Sequence, residues 1–138
     1  AGASLMAFIL DASVAVAWVV ARQATTYSRA IRLRAKREPY HAPALWRVEV
    51  VNVINALVRR QSLSAEAGRT ATDILDRLQP VIHEPALALT DLYGLAQRYD
   101  LSAYDASYLA LALELRLPVA CTDNKLRAAL KSAGVRLA

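Results

Sequence analysis

Two short apolar runs in this chain each end on a single acid. MAFIL (Met6–Leu10) is followed by Asp11, and PVACT (Pro118–Thr122) is followed by Asp123. Runs this short and this uninterrupted suit strands buried on both faces, the signature of a parallel sheet covered by helices. Parallel strands need long crossovers, so the sequence between the two runs should be mostly helical.

The intervening sequence meets that demand. SVAVAWVVA (13–21) reads as a short apolar helix. TTYSRAIRLRAKRE reads as a helix that starts near Thr25 or Thr26 and is ended by Pro39. YHAP (40–43) is a short strand or turn, and ALWRVEVVNVINALVRRQ is a long helix with Pro43 in its first turn. SAEAGRTATDILDRLQ is a helix capped by Ser64 and closed by Pro80, and VIHE is a short strand. Residues 86–98 and 103–116 form two further helices. After the strand PVACT come a helix, DNKLRAALKSAG, ended by Gly134, and a last short strand, VRL. Strands alternating with helices predict an α/β fold, a three-layer α/β/α domain with a short parallel sheet flanked by helices. Helix content should be about half or more.

The 138 residues suit one domain, spanning 6–138, with no linker, low-complexity tract or repeat. Ala1–Leu5 reads as an appended remnant, with the native chain beginning at Met6. A hydrophobic fraction of 56% means elements buried on several sides. No secretory signal is visible, and VAVAWVVA is too short to span a bilayer. Cys121 is the single cysteine, so no intrachain disulfide can form. It reads as a buried strand residue and fits a reducing cytoplasm. Seventeen Lys and Arg against twelve Asp and Glu give a net charge of +5, which suits a polyanionic partner.

In open parallel sheets, ligands bind beyond the carboxyl ends of the strands, where Asp11 and Asp123 lie. Two more acids stand out. Asp105 occupies the head of LSAYDASYLALALEL (101–115), a helix apolar on nearly every side. Glu49 shares a narrow stripe of the long helix with Asn52, Asn55 and Arg59. Each acid also has a local reading: an N-cap for Asp11 or Asp123, a capping box from Ser102 for Asp105, and a solvated face for Glu49. Taken together they suggest more. Four like charges at the mouth of one sheet would repel unless a cation neutralised them. Oxygen-only ligands suit a hard divalent ion such as Mg²⁺ or Mn²⁺. A carboxylate–metal cluster of this kind serves phosphoryl-transfer chemistry. His41 and His83 read as loop or strand-edge residues with a structural role.

The segments FILDASVAVAW, VEVVNVINAL, LSAYDASYLALALELRLPVA and TDNKL resemble, in that order, the PIN-domain ribonucleases, and specifically the VapC toxins of bacterial toxin–antitoxin pairs. The resemblance runs from Phe8 to Val135. It implies a metal-dependent endoribonuclease, the toxin of a type II pair, cleaving RNA phosphodiesters by a metal-activated water. Asp11, Glu49, Asp105 and Asp123 match the family's acidic quartet, which holds Mg²⁺ or Mn²⁺. Ser13 and Asn52 match positions that often support it. One departure concerns the last strand. Many relatives carry Thr or Ser two residues before the final acid, where this chain has Cys121, with Thr122 beside Asp123 instead. Asn124 is a candidate to share the work of Asp123. The resemblance also implies an RNA substrate, a VapB-like antitoxin, a homodimer and a cytoplasmic setting, with no membrane partner.

Arg29, Arg32 and Lys36 share a helical face and are candidates to track an RNA backbone, although a solvated charged surface is the simpler reading of each. Tyr104, next to Asp105, is expected in the core, with base stacking as the alternative. Three rival functions remain open at this level. One is a catalytically idle PIN module that binds RNA or protein. Another is a PIN nuclease of RNA maturation. The third, a nucleotide-binding module, lacks a glycine-rich phosphate loop, because Gly2, Gly68, Gly94 and Gly134 lie at no strand-to-helix turn.

Overall fold

Strand β1 (Phe8–Leu10) is fully buried, as its unbroken apolar run requires. In the computed structural model, which describes residues 6–138, β1 is central to a four-stranded sheet of order β3-β2-β1-β4. All neighbours are parallel, with Phe8 opposite Tyr40 and Ile9 opposite Val119. The chain runs β1, α1 (Ala12–Val19), α2 (Thr26–Ala35), β2 (Tyr40–Pro43), α3 (Trp46–Arg59), α4 (Ala65–Arg77) and β3 (Val81–His83). It continues through α5 (Leu89–Tyr99), α6 (Ala103–Leu115), β4 (Val119–Ala120) and α7 (Asn124–Ser132). More than half of it is helical.

Alternation along β1 sorts the helices into two layers. Phe8 and Leu10 face one cluster, with Val14 and Val16 of α1, Ile31 of α2, Trp46 and Ile54 of α3, and Leu75 of α4. Ile9 faces the other, with Tyr108 and Leu109 of α6 and Leu126 and Leu130 of α7; Leu92 and Leu95 of α5 pack at its edge. This is the three-layer α/β/α arrangement that the sequence predicts. Each large side chain so buried contributes about 1.5–3 kcal/mol. Gly68 permits close packing of α4 on α3, since a Cβ there would meet Val58 Cγ2 at 2.9 Å.

Local chemistry sets most helix starts. Thr25 and Ser28 form a reciprocal capping box at α2, with bonds of 3.0 and 2.9 Å. Ser64 accepts from the Ala67 N–H at 3.0 Å, and Ser102 from the Asp105 N–H at 3.1 Å.

The structure corrects several expected boundaries. Pro43 is the last residue of β2 rather than part of the first turn of α3, which Leu45 precedes as N-cap. α5 begins at Leu89 instead of residue 86, because Ala88 is extended and serves as its N-cap. PVACT supplies only two strand residues, and VRL only a single parallel bridge, Val119 to Leu137. His41 and His83 belong to the strands themselves, with Nδ1 and Nε2 2.9 Å apart. Tyr104 is 62% exposed, not a core residue, whereas Trp46 is buried. The reading of Ala1–Leu5 lies outside the described residues.

Candidate active site

Each of the four acids occupies the opening of a different helix. Asp11 is the N-cap of α1 and Asp123 that of α7; Glu49 and Asp105 stand in the first turns of α3 and α6. Their surroundings therefore include four positive helix ends, which favour carboxylates. The topology explains why two of these ends, those of α1 and α7, lie together. β1 and β4 are adjacent parallel strands, so the turns that follow them emerge at the same edge of the sheet, where the Asp11 N–H donates to the Ala120 carbonyl at 3.0 Å.

The local cap readings separate once side chains are followed. Asp123 does cap its helix, accepting from the Leu126 N–H through Oδ2 at 2.8 Å. Asp11 makes no side-chain cap bond; its Oδ2 accepts from the Ser13 hydroxyl at 2.5 Å. At α6 the cap is Ser102, whose oxygen takes the backbone N–H of Asp105 and leaves the Asp105 carboxylate free of that task. Glu49 is half-buried, not simply solvated, and its Oε1 accepts from the Tyr108 hydroxyl at 2.7 Å.

Electrostatics link the acids into one group. Burial raises the pKa of Asp11, the Ser13 hydrogen bond opposes this, and the charge of Asp105 adds to the rise. Burial pushes Glu49 up to about 7, against the Tyr108 bond, with Asp11 and Asp105 both raising it further. Asp105 is raised by burial and by Asp123, while Lys125 pulls it down. Three of the acids thus sense another's charge: Glu49 that of Asp11 and Asp105, Asp11 that of Asp105, and Asp105 that of Asp123. Among the described residues, no three His, Cys, Asp or Glu side chains close tightly enough on one point to form a ready metal cage. The donor set is nonetheless chemically suited to Mg²⁺, which keeps several waters and takes only one or two carboxylates directly. Two half-open hollows lie away from the acids, one between α3 and α4 and one between α6 and residues 85–87.

The supporting residues divide. Thr122 brings its Oγ1 to 3.4 Å from the Ser13 hydroxyl, so a hydroxyl does reach the strand end from the neighbouring position. Cys121 is fully buried, its thiol pushed up to about 12, mainly by burial. Asn52 and Asn124 are exposed. Arg29, Arg32 and Lys36 are exposed on α2, with Arg32 stacked 5.1 Å from the Trp18 ring. From Lys36 the chain leads within four residues to Tyr40, opposite Phe8 at the amino end of β1, so Lys36 lies toward the end of the sheet away from the acids. Two residues near the acids are absent from the sequence-based candidates. Lys125 is the cation acting on Asp105, and Tyr108 is the partner of Glu49. The spacing of Asp105 and Tyr108, three apart on one helix, was the available signal for the second.

The sequence matches the PIN domain over residues 8–130, which takes in all four acids. The chain belongs to the PIN-domain family. It is similar to Ribonuclease VapC12 of Mycobacterium tuberculosis, with 33% identity over 119 residues covering 86% of this chain and 88% of that one. Ribonuclease VapC1 of the same organism is 32% identical over 127 residues, covering 88% and 89%. Among solved structures, PAE2754 from Pyrobaculum aerophilum shares the PIN-like fold, with a TM-score of 0.67 at 24% identity over 93% of this chain and 82% of that one. The chain is thus of the VapC type within the PIN domains.

Proposed function

We propose that this PIN domain is a metal-dependent endoribonuclease and the toxin of a type II toxin–antitoxin pair. One observation supports the reading: the four acids stand at the openings of four helices, and the charges of Asp11, Asp105 and Asp123 bear on their neighbours in a series that runs from Glu49 to Asp123. Asp11, Glu49 and Asp105 would hold the principal Mg²⁺ or Mn²⁺, and Asp123 would complete the site. Such an ion, when bound, supplies an activated water and offsets charge on the phosphate. Ser13 holds one oxygen of Asp11 and so orients the carboxylate. Tyr108 holds one oxygen of Glu49. Thr122, Asn52 and Asn124 stand as supporting groups at the rim. Lys125, which pairs with Asp100 at 3.3 Å and pulls on Asp105, would meet a phosphate there, and Arg29, Arg32 and Lys36 would receive the strand further along its path.

The partners we assign are RNA, a VapB-like antitoxin and a second copy of the chain, in the cytoplasm. Exposed apolar side chains support surfaces covered by protein, among them Val48 (72%), Leu89 (83%) and Tyr93 (67%). Among the described residues, no helix is long and apolar enough to cross a membrane. The test is digestion of RNA with Mg²⁺ or Mn²⁺, with EDTA, and with Asp105→Asn. Cleavage should require the metal and vanish in the variant, which should still fold. Cutting in EDTA, or an Asp105→Asn protein as active as wild type, would overturn the assignment.

A further inference from the structure

Tyr108 is wholly buried, yet its hydroxyl reaches Glu49 Oε1 at 2.7 Å across 59 residues of sequence. The bond crosses between layers. Tyr108 belongs to the α6 and α7 side of the sheet, whereas α3 packs on the opposite side through Trp46, Val50 and Ile54. Tyr108 also stands on the same face of α6 as Asp105, one turn further along. One helical turn therefore presents one acid of the quartet and grips another.

Glu49 needs such a grip. Its side chain has three rotors, and fixing them costs conformational entropy. Its neighbours on the outer surface of α3, Val48, Val51 and Asn52, are exposed. Among the described residues, the Tyr108 hydroxyl is the only side-chain hydrogen-bond partner of its carboxylate. A phenol on a packed ring has little freedom of its own, so it fixes Oε1 and leaves Oε2 without a side-chain partner among the described residues.

We infer that Tyr108 is a positioning residue that holds Glu49 in its cation-ready orientation and keeps its hydrogen bond when the ion is bound. This rests on the metal-dependent reading above. Outer-shell partners of this kind change metal affinity by about ten- to a hundredfold when removed. Phenylalanine preserves the ring and deletes the hydroxyl alone.

The experiment measures Mn²⁺ affinity by electron paramagnetic resonance in wild type and Tyr108→Phe, beside RNA cleavage as a function of Mn²⁺. The variant should bind Mn²⁺ about tenfold or more weakly, and saturating Mn²⁺ should recover most of its maximal rate. A side chain that served stability alone would lower the melting temperature in EDTA and leave the Mn²⁺ affinity unchanged. Affinity within twofold of wild type overturns the inference while leaving the nuclease reading intact; a wild type that neither binds Mn²⁺ nor cuts RNA overturns both. The unmutated protein gives a second readout should the variant fold poorly. A protected phenolic proton should appear in its ¹H spectrum, then shift but persist when Mg²⁺ is added. Its absence, or its loss on adding Mg²⁺, counts against a bond kept in the bound state.

Discussion

Glu49→Gln should make the metal-free protein more stable while destroying its activity. In wild type, burial and the charges of Asp11 and Asp105 hold the Glu49 pKa at about 7, against an ordinary 4.5. The folded state therefore keeps a proton on this carboxyl that the unfolded chain has already released. Stability from this group is complete below pH 4.5 and is lost as pH rises toward and through about 7. Full desolvation would make the gap worth about 3 kcal/mol. Glu49 is only half-buried, and solvent screening reduces this to about 1–2 kcal/mol. Glutamine resembles the protonated acid, and its carbonyl can still accept from Tyr108. In EDTA at pH 8 the variant should melt about 3–8 °C above wild type. The difference should shrink by pH 5 and vanish near pH 4. Mg²⁺ at pH 8 should raise the melting temperature of wild type more than that of the variant, since only a site with its charge intact gains fully from binding. Thermal melts by circular dichroism across this range decide the matter. A variant that melts at or below wild type at pH 8 in EDTA, or a gap that does not depend on pH, would refute the electrostatic reasoning.

Other consequences are simpler to check. RNA cleavage at subsaturating substrate should fall steeply between 50 and 200 mM salt, on the order of tenfold or more, if several cations meet the backbone; a flat response would remove Arg29, Arg32, Lys36 and Lys125 from the proposed path. Cys121 is buried with its thiol pushed up to about 12, so a disulfide reagent at pH 8 should label the protein only after unfolding. Rapid labelling of the native state would contradict the burial at the end of β4.

The layers were legible because burial imposes a pattern on the residues. FIL could only be a central strand, and the apolar surround of Asp105 marked α6 as a helix enclosed on several sides. Boundaries were less legible where one residue type serves two roles. Pro43 can open a helix or close a strand, and here the pairing with His83 decided for the strand. Residues 86–88 carry helix-forming alanines, but Ala88 is extended and the helix starts only at Leu89. The acids could be picked out by position after strands and by their contrast with apolar neighbours. Their partners could not. Tyr108 looked like core because its ring is core, and only the direction of its hydroxyl gives it a second task. Helical phase showed that Arg29, Arg32 and Lys36 share a face, but gave no hint that α2 descends toward the far end of the sheet. Position 121 carries no hydroxyl, but the exposed turn after β4 brings Thr122 Oγ1 to 3.4 Å from the Ser13 hydroxyl, which the residue order alone did not reveal.

The account depends on one cation shared by side chains from distant parts of the chain. Its most direct measurement is the anomalous diffraction of a crystal soaked in Mn²⁺. The expected result is a single dominant peak at the mouth of the sheet, about 2.1 Å from oxygens of at least two of Asp11, Glu49 and Asp105. Manganese bound elsewhere, with these three carboxylates left unliganded, would contradict it.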